Sequence, residues 1–276
     1  MADKPLRLDE IGYWSEVKLD IVRKYAKAYS TIMARQALIK GHLYIDAFAG
    51  AGTHISRSTG QLVEGSPLNA MSVTPPFTEI HLIDLHGGRA KRLRELTKND
   101  PRVTVHEGDC NDVLLRDVFP RCQYGDYRRA LCLLDPYRLN VNWEVLEAAG
   151  RLESIDVFYN FMIMDGNRNV FWRDPSKVAP AEVKRMDAVW PRWKSGAYRT
   201  EQDLFGDVQM KASNSDIAQA FREDLGKVDH FKHVPAPLPM RNSQGAVLYY
   251  LYLASPKAVA AEIVKDIFDK YRSRGV

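Results

Sequence analysis

The chain has 276 residues, 45% of them hydrophobic and 27% charged, and its formal net charge is +4 at pH 7. This composition supplies a full hydrophobic core and excludes general disorder, while so small a charge does not by itself indicate a polyanionic partner. The three cysteines form no Cys-x-x-Cys pair, and no apolar run suits a signal segment or a bilayer span. We therefore expect a reduced cytoplasmic protein with no disulfide framework and no membrane association.

Apolar periodicity predicts strands that alternate with helices over the first 163 residues. A helix over 14–40 comes first, with Leu19, Val22 and Tyr25 on one face and Lys18 on another. A loop rich in Gly, Ser and Thr covers 50–66, and a short helix begins at Ser66-Pro67. The predicted strands lie within 43–49, 79–85, 102–108, 129–137 and 155–163, and the helices between the later strands lie near 89–98, 111–118 and 142–151. Such alternation requires right-handed crossovers, so it predicts an α/β fold whose parallel sheet has helices on both faces.

The alternation stops after the fifth strand. Residues 165–212 combine Trp172, Trp190 and Trp193 with many cations and prolines, and we interpret them as a helical insertion within one domain spanning 1–276. The tryptophans favour a small packed core over a surface that stacks bases. Beyond them we expect an amphipathic helix over 216–228, a strand over 246–255 paired with one near 231–239, and a closing helix from residue 256. The sheet would then have seven strands.

A Gly-x-Gly element, Gly50-Ala51-Gly52, follows the first strand. It lacks the Lys of a phosphate loop, and Ile55 occupies the third glycine position of a dinucleotide fingerprint. Asp46, just before the glycines, would repel a pyrophosphate and attract an ammonium group.

Acidic residues also end the next two strands. Asp84 is placed to accept hydrogen bonds from ribose hydroxyls, and Asp109 from an adenine amino group. The alternative for each acid taken singly is a solvated loop carboxylate. A ligand that has an ammonium, a ribose and an adenine but no phosphate fits the series, and S-adenosylmethionine is such a ligand.

The fourth strand ends in Asp135-Pro136-Tyr137. This element resembles the Asp/Asn-Pro-Pro-Tyr/Phe motif of methyltransferases that act on exocyclic amino groups of nucleobases, with one proline fewer. Asp135 and the Pro136 carbonyl would accept the amine hydrogens and free the nitrogen lone pair, while Tyr137 would stack on an extruded base. The alternative is an ordinary Asp-Pro turn.

Polar residues follow the fifth strand, and Asn160, Asn167 and Arg168 are the candidate substrate residues there. Arg168 is predicted to hold a phosphate, unless it pairs with Asp165 or Asp174 and shapes the loop. The alternative for the whole segment is a polar loop that caps the next helix. The histidines show no spacing that predicts a metal site.

Together, the segments YIDAFAGAG, EGSPLNA, LLDPY and NFMIMDGNRN resemble the three-Cys-motif partner proteins (TcmP), over about residues 14–175 and more weakly over the final strand and helix. The resemblance implies a Rossmann-like methyltransferase fold and a partner that carries the three-cysteine motif, so Cys110, Cys122 and Cys132 of this chain are not that motif. The expected cofactor-binding residues are Asp46, Phe48, Gly50, Gly52, Asp84, Leu85, Asp109 and Cys110, and the expected catalytic residues are Asp135, Pro136 and Tyr137.

Three functions are compatible with these features. The favoured one is an S-adenosylmethionine-dependent methyltransferase that acts on a nucleic-acid base. The second is a cofactor-binding subunit of a three-Cys-motif protein with weak or no catalysis of its own. The third, a nicotinamide oxidoreductase, is disfavoured by Ile55 and Asp46.

Overall fold

The computed structural model describes residues 8–203, 206–242 and 244–272. The strands of this part are β1 (Glu10–Ile11), β2 (Gly41–Asp46), β3 (Thr53–Ser56), β4 (Leu62–Glu64), β5 (Glu79–Asp84), β6 (Val103–Glu107), β7 (Arg128–Leu134), β8 (Ile155–Phe161), β9 (Tyr198–Asp203), β10 (Gly206–Lys211), β11 (Leu238–Arg241) and β12 (Val247–Ala254). Its α-helices are α1 (Tyr13–Ala34), α2 (Ser66–Met71), α3 (Gly87–Thr97), α4 (Cys110–Val113), α5 (Trp143–Arg151), α6 (Ile163–Asn169), α7 (Pro180–Val189), α8 (Trp193–Ala197), α9 (Asn214–Leu225) and α10 (Ala258–Arg272).

Seven strands form the central sheet, in the order β11-β12-β8-β7-β2-β5-β6. The five strands from β8 to β6 are parallel to one another, and β12 lies antiparallel between β11 and β8. This confirms the predicted α/β, Rossmann-like methyltransferase fold with a mostly parallel seven-stranded sheet. The first strand of this sheet in sequence, β2, lies at the centre of the parallel strands, where the order of strands reverses direction.

Alternate residues of each central strand pack into opposite layers, as the pleat of a strand requires. In β7, Ala130 and Cys132 join one hydrophobic cluster, while Leu131 and Leu133 join the other. The first cluster is covered by α4, α5 and α7–α9, and the second by α1–α3 and α10. Because both faces are covered, the central strands are almost continuously apolar.

Two segments near the start of the chain differ from the sequence prediction. Helix α1 ends at Ala34 instead of residue 40, and the Lys40 backbone N–H instead donates to the Tyr127 carbonyl at 3.0 Å. The predicted loop over 50–66 contains a short hairpin, β3–β4, and β1 pairs parallel to β3. The small sheet places the residues just before α1 beside the glycine element.

The insertion after β8 contains helices, as predicted, and also the antiparallel pair β9–β10. Trp190 and Trp193 are fully buried, and the Trp190 indole N–H donates to the Asp224 carboxylate at 2.8 Å. These two tryptophans form the packed core that was the favoured interpretation, whereas the third tryptophan, Trp172, is 38% exposed. No helix in the described part of the chain is long and apolar enough to cross a membrane.

Candidate active site

The carboxyl ends of the parallel strands lie at one edge of the sheet. Beyond the ends of β2, β7 and β8 the structure contains a cavity of about 310 Å³. Its lining residues are Ile11, Ser15, Lys18, Leu19, Phe48, Ala49, Gly50, His54, Ser66, Asp135, Pro136, Tyr137, Asn160, Met162, Met164, Arg168, Leu248 and Tyr249. The cavity therefore brings together part of the glycine element, the whole Asp-Pro-Tyr element and two of the predicted substrate residues.

The two glycines of the Gly-x-Gly element play different roles. Both have left-handed backbones, with φ of 65° at Gly50 and 81° at Gly52, which glycine adopts at little cost. Gly50 lines the cavity, and its N–H donates to Asp84 Oδ2 at 3.0 Å. A side chain at Gly52 would instead approach Leu96 and Leu93 of α3, at 3.1 and 3.3 Å. Gly52 thus permits close packing of the loop on α3 and lies outside the cavity lining.

Asp46 lies at the end of β2 with its carboxylate fully buried. Oδ1 accepts a hydrogen bond from the Phe48 N–H at 3.1 Å, whereas Oδ2 makes no hydrogen bond of good geometry with the described residues; the nearby Ser66 side chain lowers the pKa of the carboxyl and offsets part of the effect of burial. Burial raises the pKa of this carboxyl from 3.8 to about 7. An unpartnered buried carboxylate is costly, so a cationic group at this position would relieve an existing penalty.

The acids that end β5 and follow β6 lie outside the cavity lining. Asp84 is buried, and its oxygens accept from the Gly50 N–H at 3.0 Å and the His86 N–H at 2.7 Å. Asp109 is exposed, caps α4 and accepts from the Asn111 N–H at 2.8 Å. Cys110 is buried, and burial raises the pKa of its thiol to about 12. Leu85 is 72% exposed beside Asp84, which leaves an apolar surface at the sheet edge.

Two side chains hold the Asp135 carboxylate. The Asn160 amide donates to Oδ1 at 2.7 Å, and the Lys18 ammonium forms a short ion pair with Oδ2. The other polar atom of Asn160, its Oδ1, is buried without a hydrogen-bond partner in the described part of the chain. The cavity wall therefore carries a fixed carboxylate next to a free acceptor.

Tyr137 extends from the edge of the cavity and is 60% exposed. Its hydroxyl donates to Asp9 Oδ2 at 3.0 Å, and the Arg89 guanidinium lies 5.7 Å from the ring centroid. Asp9 also pairs with Arg89 at 3.1 Å, so these two side chains together fix the ring plane. Burial of the hydroxyl and the nearby Asp9 charge raise the Tyr137 pKa, and the phenol stays neutral.

The predicted substrate residues separate in the structure. Arg168 is exposed and lines the cavity, whereas Asn167 bonds to Asn214 at 3.1 Å and Lys211 at 2.7 Å. The alternative that Arg168 pairs with Asp165 or Asp174 is not seen. Within the described residues Asp165 pairs with Arg185 and Arg138, and Asp174 with Lys177.

Four polar residues line the cavity although the sequence did not indicate them as site residues: Ser15, Lys18, His54 and Ser66. Lys18 was assigned to another face of the first helix, but it is buried and its ammonium lies 5.3 Å from the Tyr249 ring centroid. His54 Nδ1 is buried without a hydrogen-bond partner in the described residues, and burial lowers the pKa of the imidazole below 6.5. Neutral His54 therefore offers a second free polar atom near Gly50.

These observations fit S-adenosylmethionine. The Asp46 carboxylate, which is buried and lies outside the cavity lining as do the acids that end β5 and follow β6, has the charge that the ammonium group of this ligand requires. The side-chain-free Gly50 leaves room at the cavity wall, where an added Cβ would meet only His54, at 4.0 Å. Asp84 and the exposed Leu85 lie along the same sheet edge, where a ribose and an adenine would continue.

No protein-family model matches this chain, and no curated protein is significantly similar to it. Among solved structures, a Legionella pneumophila protein of the DUF519 family model is 13% identical, with 92% of this chain and 91% of that chain covered and a TM-score of 0.55. A Thermobifida fusca protein described as a candidate methyltransferase is 16% identical, with 88% and 82% covered and a TM-score of 0.43. TYW2 of M. jannaschii, solved with S-adenosylmethionine, is 11% identical, with 83% and 74% covered and a TM-score of 0.34.

At such low identities the likeness shows the fold alone. Of these three structures, only the Legionella pneumophila protein has a TM-score above 0.5. The fold and the strand order place the chain in the Rossmann-like methyltransferase fold class. The resemblance to three-Cys-motif partner proteins stays a prediction, because no family model matches.

Proposed function

We propose that this protein is an S-adenosylmethionine-dependent methyltransferase that acts on an exocyclic amino group of a nucleic-acid base. The observation that carries the proposal is the shared cavity, in which Gly50 of the cofactor loop and Asp135-Pro136-Tyr137 line one space. A methyl donor and an amine held in one small space react as if at very high effective concentration, which is the main contribution expected of such an enzyme.

Several residues would hold the cofactor. Asp46 would bind the ammonium, Gly50 and Phe48 would form the wall beside the methionine part, and Leu85 would pack on the adenine. Asp84 already fixes the Gly50 N–H, so it supports the loop as well as being placed near the ribose. When bound, S-adenosylmethionine would supply a methyl group on a cationic sulfur, and the C–S bonding pair would stay with the sulfur.

Asp135 and Pro136 would orient the amine. Each Asp135 oxygen uses one lone pair, toward Asn160 or Lys18, and keeps another for an amine hydrogen. The Pro136 carbonyl is the second acceptor. With both hydrogens held, the nitrogen lone pair would be free to form a bond to the methyl group that the cofactor supplies. The amine proton would then pass to Asp135 or to water.

Tyr137 would stack on the base that carries the amine. Its ring is exposed and fixed by Asp9 and Arg89, so stacking requires little further ordering of the side chain. Asn160 Oδ1 is a buried acceptor without a partner in the described residues, and it suits an N–H of the base or of the cofactor. The wall thus offers stacking together with acceptors, as a site for an extruded base requires.

The test is transfer of a tritiated methyl group from S-adenosylmethionine to total RNA, to DNA and to protein, followed by digestion and identification of the labelled product. We expect label in a nucleoside methylated on its amino group. Label on protein alone, or on a ring carbon, would contradict the amino-group chemistry. Failure of S-adenosylmethionine to bind would contradict the cofactor.

A further inference from the structure

A second groove opens directly from the cavity. It has a volume of about 670 Å³, and Tyr13, Trp14, Arg57 and Arg241 line it; we call it the aromatic–arginine groove. The residues that line both this groove and the active-site cavity are Ile11, Ser15, Leu248 and Tyr249. A chain molecule lying in the groove would therefore reach the cavity without crossing the protein surface.

Two aromatic rings stand at the beginning of α1. Tyr13 is 57% exposed, and Trp14 is partly buried, with its ring centroid 5.6 Å from that of Tyr13 at an interplanar angle of 73°. The Trp14 carbonyl accepts from the buried Tyr249 hydroxyl at 3.3 Å, which anchors this turn to β12. An anchored and exposed ring is suited to stack on a flat partner.

The cations of the groove are available to an anion. The described contacts of the Arg57 and Arg241 guanidiniums are with backbone carbonyls, those of Glu10 at 3.5 Å and Gly245 at 2.8 Å. Neither forms an ion pair with a carboxylate of the described residues. Glu10 also lines the groove, so the two arginines leave a local excess of one positive charge, to which Arg168 adds at the cavity.

Exposed rings interleaved with unpaired guanidiniums match the chemistry of single-stranded nucleic acid, in which every base has an exposed face and every link carries a negative charge. A duplex hides its base faces, and a lone nucleoside cannot reach both the groove and the cavity. The insertion is a poorer candidate because Trp190 and Trp193 are buried.

We propose that the aromatic–arginine groove binds a single-stranded polynucleotide, with bases stacked on Tyr13 and phosphates held by Arg57 and Arg241, while one neighbouring base enters the cavity. Methylation of that base rests on the proposed function. Binding of the strand is independent of the proposed function and is measured without S-adenosylmethionine.

The test uses fluorescence anisotropy of the full chain with labelled twelve-residue oligonucleotides: single-stranded RNA, single-stranded DNA and the DNA duplex. We expect both single strands to bind more tightly than the duplex. Tyr13→Ala should weaken single-strand binding about 5- to 150-fold, the range of one base–aromatic stack. The double change Arg57→Gln and Arg241→Gln should lower the slope of log affinity against log salt by about 1.4, or about 0.7 for each phosphate contact.

Matched controls lie at the other end of α1, which spans about 33 Å. Arg35→Gln removes one exposed cation beyond Ala34, and Tyr124→Ala removes an exposed ring before β7. We expect both to leave strand affinity nearly unchanged. Equal losses in control and groove variants, or a duplex bound as tightly as the single strands, would overturn the proposal.

Methyl transfer to a free nucleoside separates this proposal from the proposed function. Groove variants should keep wild-type transfer to a nucleoside while losing strand affinity. If groove variants lose strand binding but the wild type methylates no base, the groove assignment stands and the proposed function fails. If the wild type methylates bases but the groove variants bind single strands normally, the proposed function stands and the groove assignment fails.

Discussion

If Asp46 binds the ammonium of the proposed cofactor, its carboxylate links proton binding to cofactor binding. Its pKa of about 7 in the folded protein exceeds the ordinary value of 3.8, so the folded state keeps a proton that the unfolded chain releases. The contribution of this residue to stability is therefore greatest below about pH 4 and is lost as the pH rises through about 7. A ligand ammonium prefers the ionised carboxylate, so its binding should strengthen over the upper part of that range.

We expect the affinity for S-adenosylhomocysteine, which carries the same ammonium, to rise about tenfold between pH 6 and pH 8. Calorimetric titration at several pH values measures this. In Asp46→Asn the affinity should be lower and nearly independent of pH over the same range. An unchanged pH profile in that variant would mean that Asp46 does not face the ammonium.

Cavity residues at the ends of strands were predictable from the sequence, whereas those brought to the cavity by tertiary packing were less so. Asp135 and Asn160 follow from their positions at the ends of strands, and they are in contact. The position of Lys18 could have been predicted from helical spacing. Val22, Tyr25 and Tyr29 follow it by 4, 7 and 11 residues, so all four lie on one face of α1, and this face is buried. The charge of Lys18 argued for solvent exposure, while the Asp135 ion pair makes burial tolerable.

At the scale of elements, the loop after β2 depends on glycines for different reasons. An Ala at position 52 would need a left-handed backbone and would place its Cβ 3.1 Å from Leu96 Cδ1. Gly60, in the turn between β3 and β4, is also left-handed, with a φ of 69°, but nothing lies within 4 Å of an added Cβ. Comparing alanine substitutions at Gly52 and Gly60 therefore separates the cost of a left-handed backbone from the cost of the contact with α3.

Gly60→Ala should lower the free energy of unfolding by about 1–2 kcal/mol, the cost of a left-handed backbone. Gly52→Ala should lower it by about 1–3 kcal/mol more, because Leu96 and Leu93 must move. Urea denaturation measures both values. Gly52→Ala should also weaken cofactor binding by displacing Gly50, whereas Gly60→Ala should not. Equal destabilisation by the two changes would show that the contact with α3 is unimportant.

The long elements were predictable because their own residues determine them. The apolar runs of β5 and β8 and the amphipathic pattern of α9 each fix an element within a few positions. The β1, β3 and β4 strands were missed, because two to four residues carry too little pattern and these strands exist only through mutual pairing. The small sheet of β1, β3 and β4, which contributes Ile11 and His54 to the cavity wall, was thus the part of the fold that the sequence indicated least.

For the whole molecule, the alternation of strands and helices predicted the parallel sheet, and two late strands complete it at the β8 edge. Sequence order alone could not place α1 against the site, because that depends on where its apolar face packs. In the structure α1 and β1 supply four residues of the cavity wall, Ile11 from β1 and Ser15, Lys18 and Leu19 from α1, and Tyr249 of β12 also lines the cavity. The three-Cys-motif partner protein stays a prediction.

The measurement that tests the central claim most directly is single-turnover methyl transfer from prebound S-adenosylmethionine by wild type and Asp135→Ala. We expect Asp135→Ala to bind the cofactor nearly as well and to transfer the methyl group about 100- to 10,000-fold more slowly, because the amine loses its acceptor. The double variant Lys18→Met with Asp135→Ala removes the unpaired lysine and should be equally slow. Transfer at the wild-type rate by these folded variants would contradict the account.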